Sequence, residues 1–273
     1  MVNVQSRRGA QLADDLRREL RAREIETCDG ADEKAVDCIV AAGGDGTFTR
    51  LIPSVMQLGV PLGIVPAGTF NELARTLDVP FDLAAACDTI AAGCTRAVDV
   101  GRVNGTFYFS EASIGISSRI TRLQKPEDKQ RFGLLAILGT ALQAFGHSRP
   151  IHVEIEFDGT TRRFKTVQLT VANSHRFGGL FAVEDAAIDD GWLDVYSIEI
   201  DGFRQAFSVA RAIFSGKRQS VPGLRTYRSN RFVVRTHRPH HIVADGEPAG
   251  KTPATFEVVP QALRIFVPHP PTA

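Results

Sequence analysis

Leu12, Leu16 and Leu20 recur at every fourth position of AQLADDLRRELRARE, a spacing that predicts an amphipathic helix. The apolar run VDCIVAA follows and predicts a strand covered on both faces. TFTRLIPSVMQLG returns to helical spacing, with Pro53 either in its first turn or kinking it. PLGIVPAG predicts a second buried strand, NELARTLDV begins another helix, and DLAAACDTIAAG one more. Strands and helices alternating in this order predict a parallel sheet with right-handed crossovers.

Past residue 98 the pattern changes. AVDVGRVNGTFYFSEASIG reads as two strands around Asn104-Gly105, a strong hairpin signal. IHVEIEFDGTTRRFKTVQLTVANS repeats the arrangement around Asp158-Gly159. WLDVYSIEI, RFVVRT, HHIVADGE, ATFEVVP and ALRIFVP each predict a strand, and two helices interrupt at roughly 132–146 and 203–215. The expected fold class is therefore α/β plus β. A parallel-sheet α/β domain spans 1–98, and an antiparallel β-sandwich with two helices spans 99–273.

Composition narrows the function classes. At 43% apolar and 23% charged residues, the 273-residue chain is that of a soluble globular protein. Its formal charge of +1 argues against a nucleic-acid surface. The early basic run LRRELRARE reads as a solvated helix face, with attraction to anionic lipid or phosphate as the functional alternative. Cys28, Cys38, Cys87 and Cys94 form no C-x-x-C pair, which argues against a disulfide frame or zinc site and fits a cytoplasmic protein. No signal peptide is expected. The longest unbroken apolar stretch, FGLLAILGTALQAFG, is shorter than the roughly 20 residues that span a bilayer. His237, His240 and His241 crowd together without an acid or thiol at ligand spacing, and read as a solvated loop.

Two glycine-rich loops carry the chemistry. AAGGDGT and VPAGTFNELAR each lie where a parallel strand ends and a helix begins, the place where such sheets bind ligands. Helix N-termini offer N–H groups and a favourable dipole to an anion, and Gly43, Gly44, Gly46 and Gly68 leave room for a phosphate. Thr47 and Thr69 add hydroxyl donors. Asp45 is odd in such a cradle unless it holds a cation or accepts a hydrogen bond. Neither dinucleotide nor Walker-type glycine motifs are present. Taken singly, each loop also reads as a plain turn. Further on, Asp189-Asp190-Gly191 reads either as a turn or as a carboxylate site for a hard cation such as Mg²⁺. Asp245 and Glu247 follow an apolar strand and suit a proton acceptor in phosphoryl transfer, though Asp245-Gly246 is by local rules a hairpin turn.

GGDGT at 43–47, PAGTFNELAR at 66–75, IDDGWLDV at 188–195 and ADGE at 244–247 stand in one order. With these motifs the chain resembles the bacterial diacylglycerol kinase-like lipid kinases, relatives of sphingosine and ceramide kinases and, more distantly, of NAD kinases. The resemblance covers nearly the whole chain. It implies ATP in a cleft between two domains and a lipid alcohol entering the β-rich one, with peripheral membrane contact and a homodimer left open. It implies that Gly44, Asp45, Gly46, Thr47 and Thr69 line the nucleotide site with neighbouring Gly43, Gly68 and Asn71. NVQSRRG would be a first nucleotide loop, with Asn3 and Ser6 at its polar positions. Asp190 would hold Mg²⁺ with backbone oxygens of Ala187 and Trp192, linked through water to Asp45 and Glu72. Asp245 or Glu247 would be the general base. The second loop departs from the family's usual Asp by carrying Glu72, and the first lacks an acid near Thr49 and Arg50. The N-terminal region also looks trimmed by most of a crossover helix, which puts ATP affinity in question more than fold. A NAD kinase is the rival enzyme, but its GSTAY-like segment is missing here. A non-catalytic nucleotide or lipid sensor is the rival of another class.

Overall fold

The structure is a computed structural model and describes residues 7–28, 36–116, 150–174, 176–177, 181–182, 187–199 and 224–269. The chain divides into two compact units. One comprises Met1–Val100, Ala187–Gly191 and Val259–Ala273, and the other Gly101–Ala186 and Trp192–Val258.

The first unit begins with α1 (Arg7–Arg21), β1 (Ile39–Gly43), α2 (Asp45–Leu58), β2 (Leu62–Pro66), α3 (Glu72–Thr76) and α4 (Leu83–Ala91). The leucine spacing of α1 does what it predicts: Leu16 and Leu20 are buried and Leu12 packs beside them, against Ala42, Val65, Cys87 and Ile90. Each such side chain contributes about 1.5–3 kcal/mol when fully withdrawn from water. Strands β1 and β2 run parallel, paired from Ile39↔Leu62 to Gly43↔Pro66. Pro53 lies well inside α2 rather than in its first turn. Helix α4 starts at Asp82, whose carboxylate accepts the Ala85 N–H at 3.0 Å. Arg23 ties α1 to α4 by donating to Glu19 at 2.7 Å, Asp88 at 2.6 Å and the Ala84 carbonyl at 3.0 Å. The basic run of α1 is thus partly balanced where it stands, Arg17 pairing with Asp14 at 3.2 Å as well.

Strand β3 (Thr95–Val103) leads from the first unit into the second. The second unit holds β4 (Thr106–Tyr108), β5 (Glu111–Gly115), β6 (Ile151–Phe157), β7 (Thr160–Thr166) and β8 (Gln168–Ala172). The short pair β9 (Arg176–Phe177) and β10 (Phe181–Ala182) follows, then β11 (Leu193–Ile198), β12 (Leu224–Ser229), β13 (Arg231–Thr236), β14 (His241–Ala244) and β15 (Glu247–Lys251). The last strand, β16 (Ala254–Phe266), begins in the second unit and ends in the first, where Ile265 pairs in parallel with Leu62 of β2. In the second unit, β16, β13, β6 and β7 form one antiparallel run and β12-β11-β8-β5-β14-β15 a six-stranded sheet. Val153, Ile155, Phe232 and Val234 from the first run share one core with Ile114, Leu169, Val195 and Ile242 from the six-stranded sheet. The fold class is the expected α/β part with an antiparallel sandwich, but the first unit also takes in 187–191 and 259–273 from the stretch read as sandwich.

Three X-Gly hairpins form as their sequences require. Asn104-Gly105, Asp158-Gly159 and Asp245-Gly246 each join paired strands, and all six residues have positive φ. Elsewhere the strand boundaries differ from expectation. AVDVGRVNGTFYFSEASIG makes three strands, not two, because the chain breaks at Phe109 and Ser110 before β5. ATFEVVP and ALRIFVP are one strand: Pro260 reads as a stop, but Gln261 at φ 48° absorbs the irregularity and pairing resumes beyond it. Strand β12 had no sequence signal. The helices expected at 132–146 and 203–215 lie outside the described residues.

Candidate functional site

The two glycine loops are built into each other. Gly44 is the residue before α2, and its N-terminus has no side-chain cap. The first N–H groups of such a helix have no acceptor within it and carry its positive dipole end. Ala67 N–H donates to the Gly43 carbonyl at 2.8 Å, joining the ends of β1 and β2. A Cβ on Gly68 would drive into the Gly44 Cα and stand 2.8 Å from Asn71 Oδ1. A Cβ on Gly43 would stand 2.5 Å from Thr47 Oγ1. Gly68 is therefore required by backbone-to-backbone packing on Gly44, and Gly43 by the Thr47 side chain, before any ligand arrives.

Asn71 closes the second loop. It is buried, adopts the left-handed conformation (φ 50°, ψ 49°), accepts the Gly68 N–H at 2.9 Å and donates to the Gly68 carbonyl at 2.9 Å. Asp45 reaches across: its Oδ1 accepts the Leu73 N–H at 3.1 Å, at the start of α3. This resolves one half of the question the acid raised, since it accepts a hydrogen bond from a neighbouring donor. Glu72 is the first residue of α3, Thr69 is exposed in the loop before it, and Gly46 and Thr47 lie in the first turn of α2. Asn3 and Ser6 lie outside the described residues.

The Asp-Asp-Gly turn belongs to the same unit as these loops. Its two acids have different surroundings. Asp189 is held by a two-pronged ion pair, with Arg96 Nε and Nη2 each 2.8 Å from its carboxylate oxygens. Asp190 instead folds back on the turn, Oδ2 accepting the Ala187 N–H at 3.2 Å. Sequence reasoning missed a third acid. Asp99 on β3 is 1% exposed, and its carboxylate accepts the N–H groups of Gly191 and Gln261, each at 2.7 Å. Its own N–H donates to the Ile188 carbonyl at 2.7 Å. A buried charge survives only when so paired. Asp99 thereby locks the turn that carries Asp190.

Within the turn, one carboxylate beside backbone carbonyls, as Asp190 and Ala187 offer, is a donor set of the kind that suits Mg²⁺. That ion binds through one or two carboxylates and keeps its remaining places for water and substrate phosphate. Among the described residues no group of three or more His, Cys, Asp or Glu side chains gathers into a cage. Trp192 is 42% exposed at the start of the strand that follows.

In the second unit, Asp245 occupies the β14–β15 turn. Its Oδ2 accepts the Phe109 N–H at 2.7 Å, and its Oδ1 accepts those of Ser110 and Glu111 at 3.0 and 3.1 Å. Its carboxylate is fixed in direction by three backbone donors. Glu247, opposite Ala244 in the hairpin, is exposed.

Residues 110–267 match the YegS C-terminal NAD kinase beta sandwich-like domain, and residues 8–103 match the diacylglycerol kinase catalytic domain. The chain belongs to the diacylglycerol kinase-like lipid kinase family. Among members of that family, a diacylglycerol kinase of Bacillus subtilis is 28% identical over 85% of this chain and 78% of its own length. An uncharacterized protein of Synechocystis is also 28% identical, over 93% of this chain, which spans 60% of that protein's length. The fold is shared with a solved diacylglycerol kinase structure from Bacillus anthracis, at a TM-score of 0.73 and 23% identity, covering 95% of this chain and 92% of that one. Among the described residues no helix of this lipid kinase family member is long and apolar enough to cross a membrane.

Proposed function

We propose that the protein transfers the γ-phosphoryl group of ATP to the hydroxyl of a lipid alcohol such as diacylglycerol. The observation that carries this reading is the pair of interlocked glycine loops with Asp45 bonded across them to the start of α3. Membership of the kinase family and the name of the Bacillus subtilis relative support the choice of reaction.

The N–H groups at the α2 N-terminus, with Thr47 and Thr69 beside them, take the phosphates. Asp190, with carbonyls of Ala187 and Trp192, would hold Mg²⁺, and the carboxylates of Asp45 and Glu72 would add negative charge to favour it. Bound there, the ion neutralises charge on the transferring group. The lipid oxygen attacks the γ-phosphorus, its bond to the β–γ bridging oxygen breaks, and ADP leaves. The proton of the hydroxyl passes to the carboxylates of the 244–247 turn. Asp245 is the member held in a fixed direction, and Glu247 the exposed one.

Incubation with labelled ATP, Mg²⁺ and total membrane lipid, followed by lipid extraction, tests the reading, with NAD as a second acceptor arm. Labelled phospholipid is expected. Label in NAD alone moves the protein to the other branch of kinases, and ligand binding without ADP release makes it a sensor.

A further inference from the structure

The loop at 109–111 is gripped from both sides. On one side its three N–H groups donate to the Asp245 carboxylate at 2.7–3.1 Å. On the other, the Phe109 carbonyl accepts from Asn173 Nδ2 at 3.0 Å, and the Ser110 carbonyl accepts the Asn173 backbone N–H at 2.9 Å. A peptide is planar, so a carbonyl and the N–H that follows it turn together. The Phe109 carbonyl shares its plane with the Ser110 N–H, and the Ser110 carbonyl shares the next plane with the Glu111 N–H. Asn173 therefore holds each plane by its oxygen while Asp245 holds it by its nitrogen. Bonds linked in this way also polarise one another, strengthening the donors that face the carboxylate.

The anchor is firm. Asn173 is 2% exposed and directly follows β8, which lies between β5 and β11 in the six-stranded sheet. The Asp245 N–H returns a bond to the Glu111 carbonyl at 2.9 Å. Ahead of the loop, the buried Tyr108 ring lies over Gly101, where a Cβ would collide with it.

We propose that Asn173 is a positioning residue for catalysis: by fixing both peptide planes of the 109–111 loop, it sets the direction in which Asp245 presents its oxygens to the acceptor hydroxyl. This rests on the reading of the 244–247 carboxylates as proton acceptors. Asn173→Ala in the full chain is expected to lower kcat on the order of tenfold to a hundredfold, the loss typical of a reacting group slightly displaced. The KM for ATP is expected to stay unchanged, since nucleotide contacts are untouched. Combined with Asp245→Asn, it is expected to add no further loss, because the two residues act as one unit. Should Asn173→Ala itself fail to fold, Asn173→Ser is the second variant; both lose the side-chain bond to Phe109 and keep the backbone bond to Ser110. Hydrogen–deuterium exchange over 109–111 is then expected to quicken relative to the unaltered protein. Unchanged exchange, or losses that multiply in the double variant, overturns the proposal. Asn173→Ala at full kcat beside an impaired Asp245→Asn overturns the positioning role alone. Asp245→Asn at full rate overturns it, and Glu247→Gln at full rate as well overturns the reading beneath it.

Discussion

Asp45 accepts the Leu73 N–H at 3.1 Å, so the acid of the first glycine loop caps the helix that follows the second. An asparagine keeps an oxygen for that bond and an alanine does not. Asp45→Ala is expected to lose about 1 kcal/mol of stability as a lost cap, whereas Asp45→Asn holds its melting temperature. Under the proposed chemistry both lose turnover. A folded Asp45→Asn that phosphorylates lipid at full rate would reduce Asp45 to a cap.

Gly68 makes the complementary case for the loops. Its missing Cβ would meet Gly44 backbone and Asn71 Oδ1, neither of which is the end of a flexible chain. Gly68→Ala is expected to cost about 1–3 kcal/mol as overpacking, a drop of several degrees by calorimetry. Gly59→Ala is the control: it stands at φ 67° with open space around it, so its cost is backbone strain alone. Equal and small losses in both would show that the two loops are not packed as described.

The neighbouring acids of the Asp-Asp-Gly turn should separate cleanly. The Arg96–Asp189 pair is about a third to two-fifths exposed, and such pairs contribute about 0–1 kcal/mol. Asp189→Asn is expected to leave both melting temperature and the Mg²⁺ dependence of turnover nearly intact. Asp190→Asn should raise the Mg²⁺ concentration needed for half-maximal rate. Asp99→Ala should unfold more readily than either, by about 1–3 kcal/mol, since the Gly191 and Gln261 amides lose their acceptor. A greater dependence on Mg²⁺ in the Asp189 variant than in the Asp190 variant would reverse the assignment.

Burial, then the charges of Asp245 and Glu111, hold the Tyr108 phenol far above the ordinary tyrosine value. The folded chain binds that proton more tightly than the unfolded one. Its contribution to stability is full below the unfolded value of about 10 and is lost as pH rises past it. Alkaline titration followed by phenolate absorbance should leave at least one of the three tyrosines protonated until the chain unfolds. Tyr108→Phe should remove that late step. Complete titration with the fold intact would contradict the burial.

Local features of the sequence were the most legible. The X-Gly hairpins follow from a conformational need that two residues state by themselves, and the leucine row of α1 from spacing alone. The order of the four motifs carried the family. Asp99 was not legible: it sits inside an apolar strand, and its partners Gly191 and Gln261 lie 92 and 162 residues away. Strand β12 escaped because LRTYRS offers no buried face, with only Ser229 fully covered. The interlock of Gly44 with Gly68 was equally hidden, since glycine in a loop signals freedom and only coordinates reveal crowding. Asn3 and Ser6 lie outside the described residues.

The last strand has a consequence for biosynthesis. Leu62 of β2 pairs with Ile265, which is synthesised only after every strand of the sandwich. Until then the first unit of a nascent chain has an unzipped edge, and no amount of waiting by residues 1–100 alone completes it. The two halves cannot be traded between relatives as cassettes at a single cut. A chimera must exchange the tail along with the head.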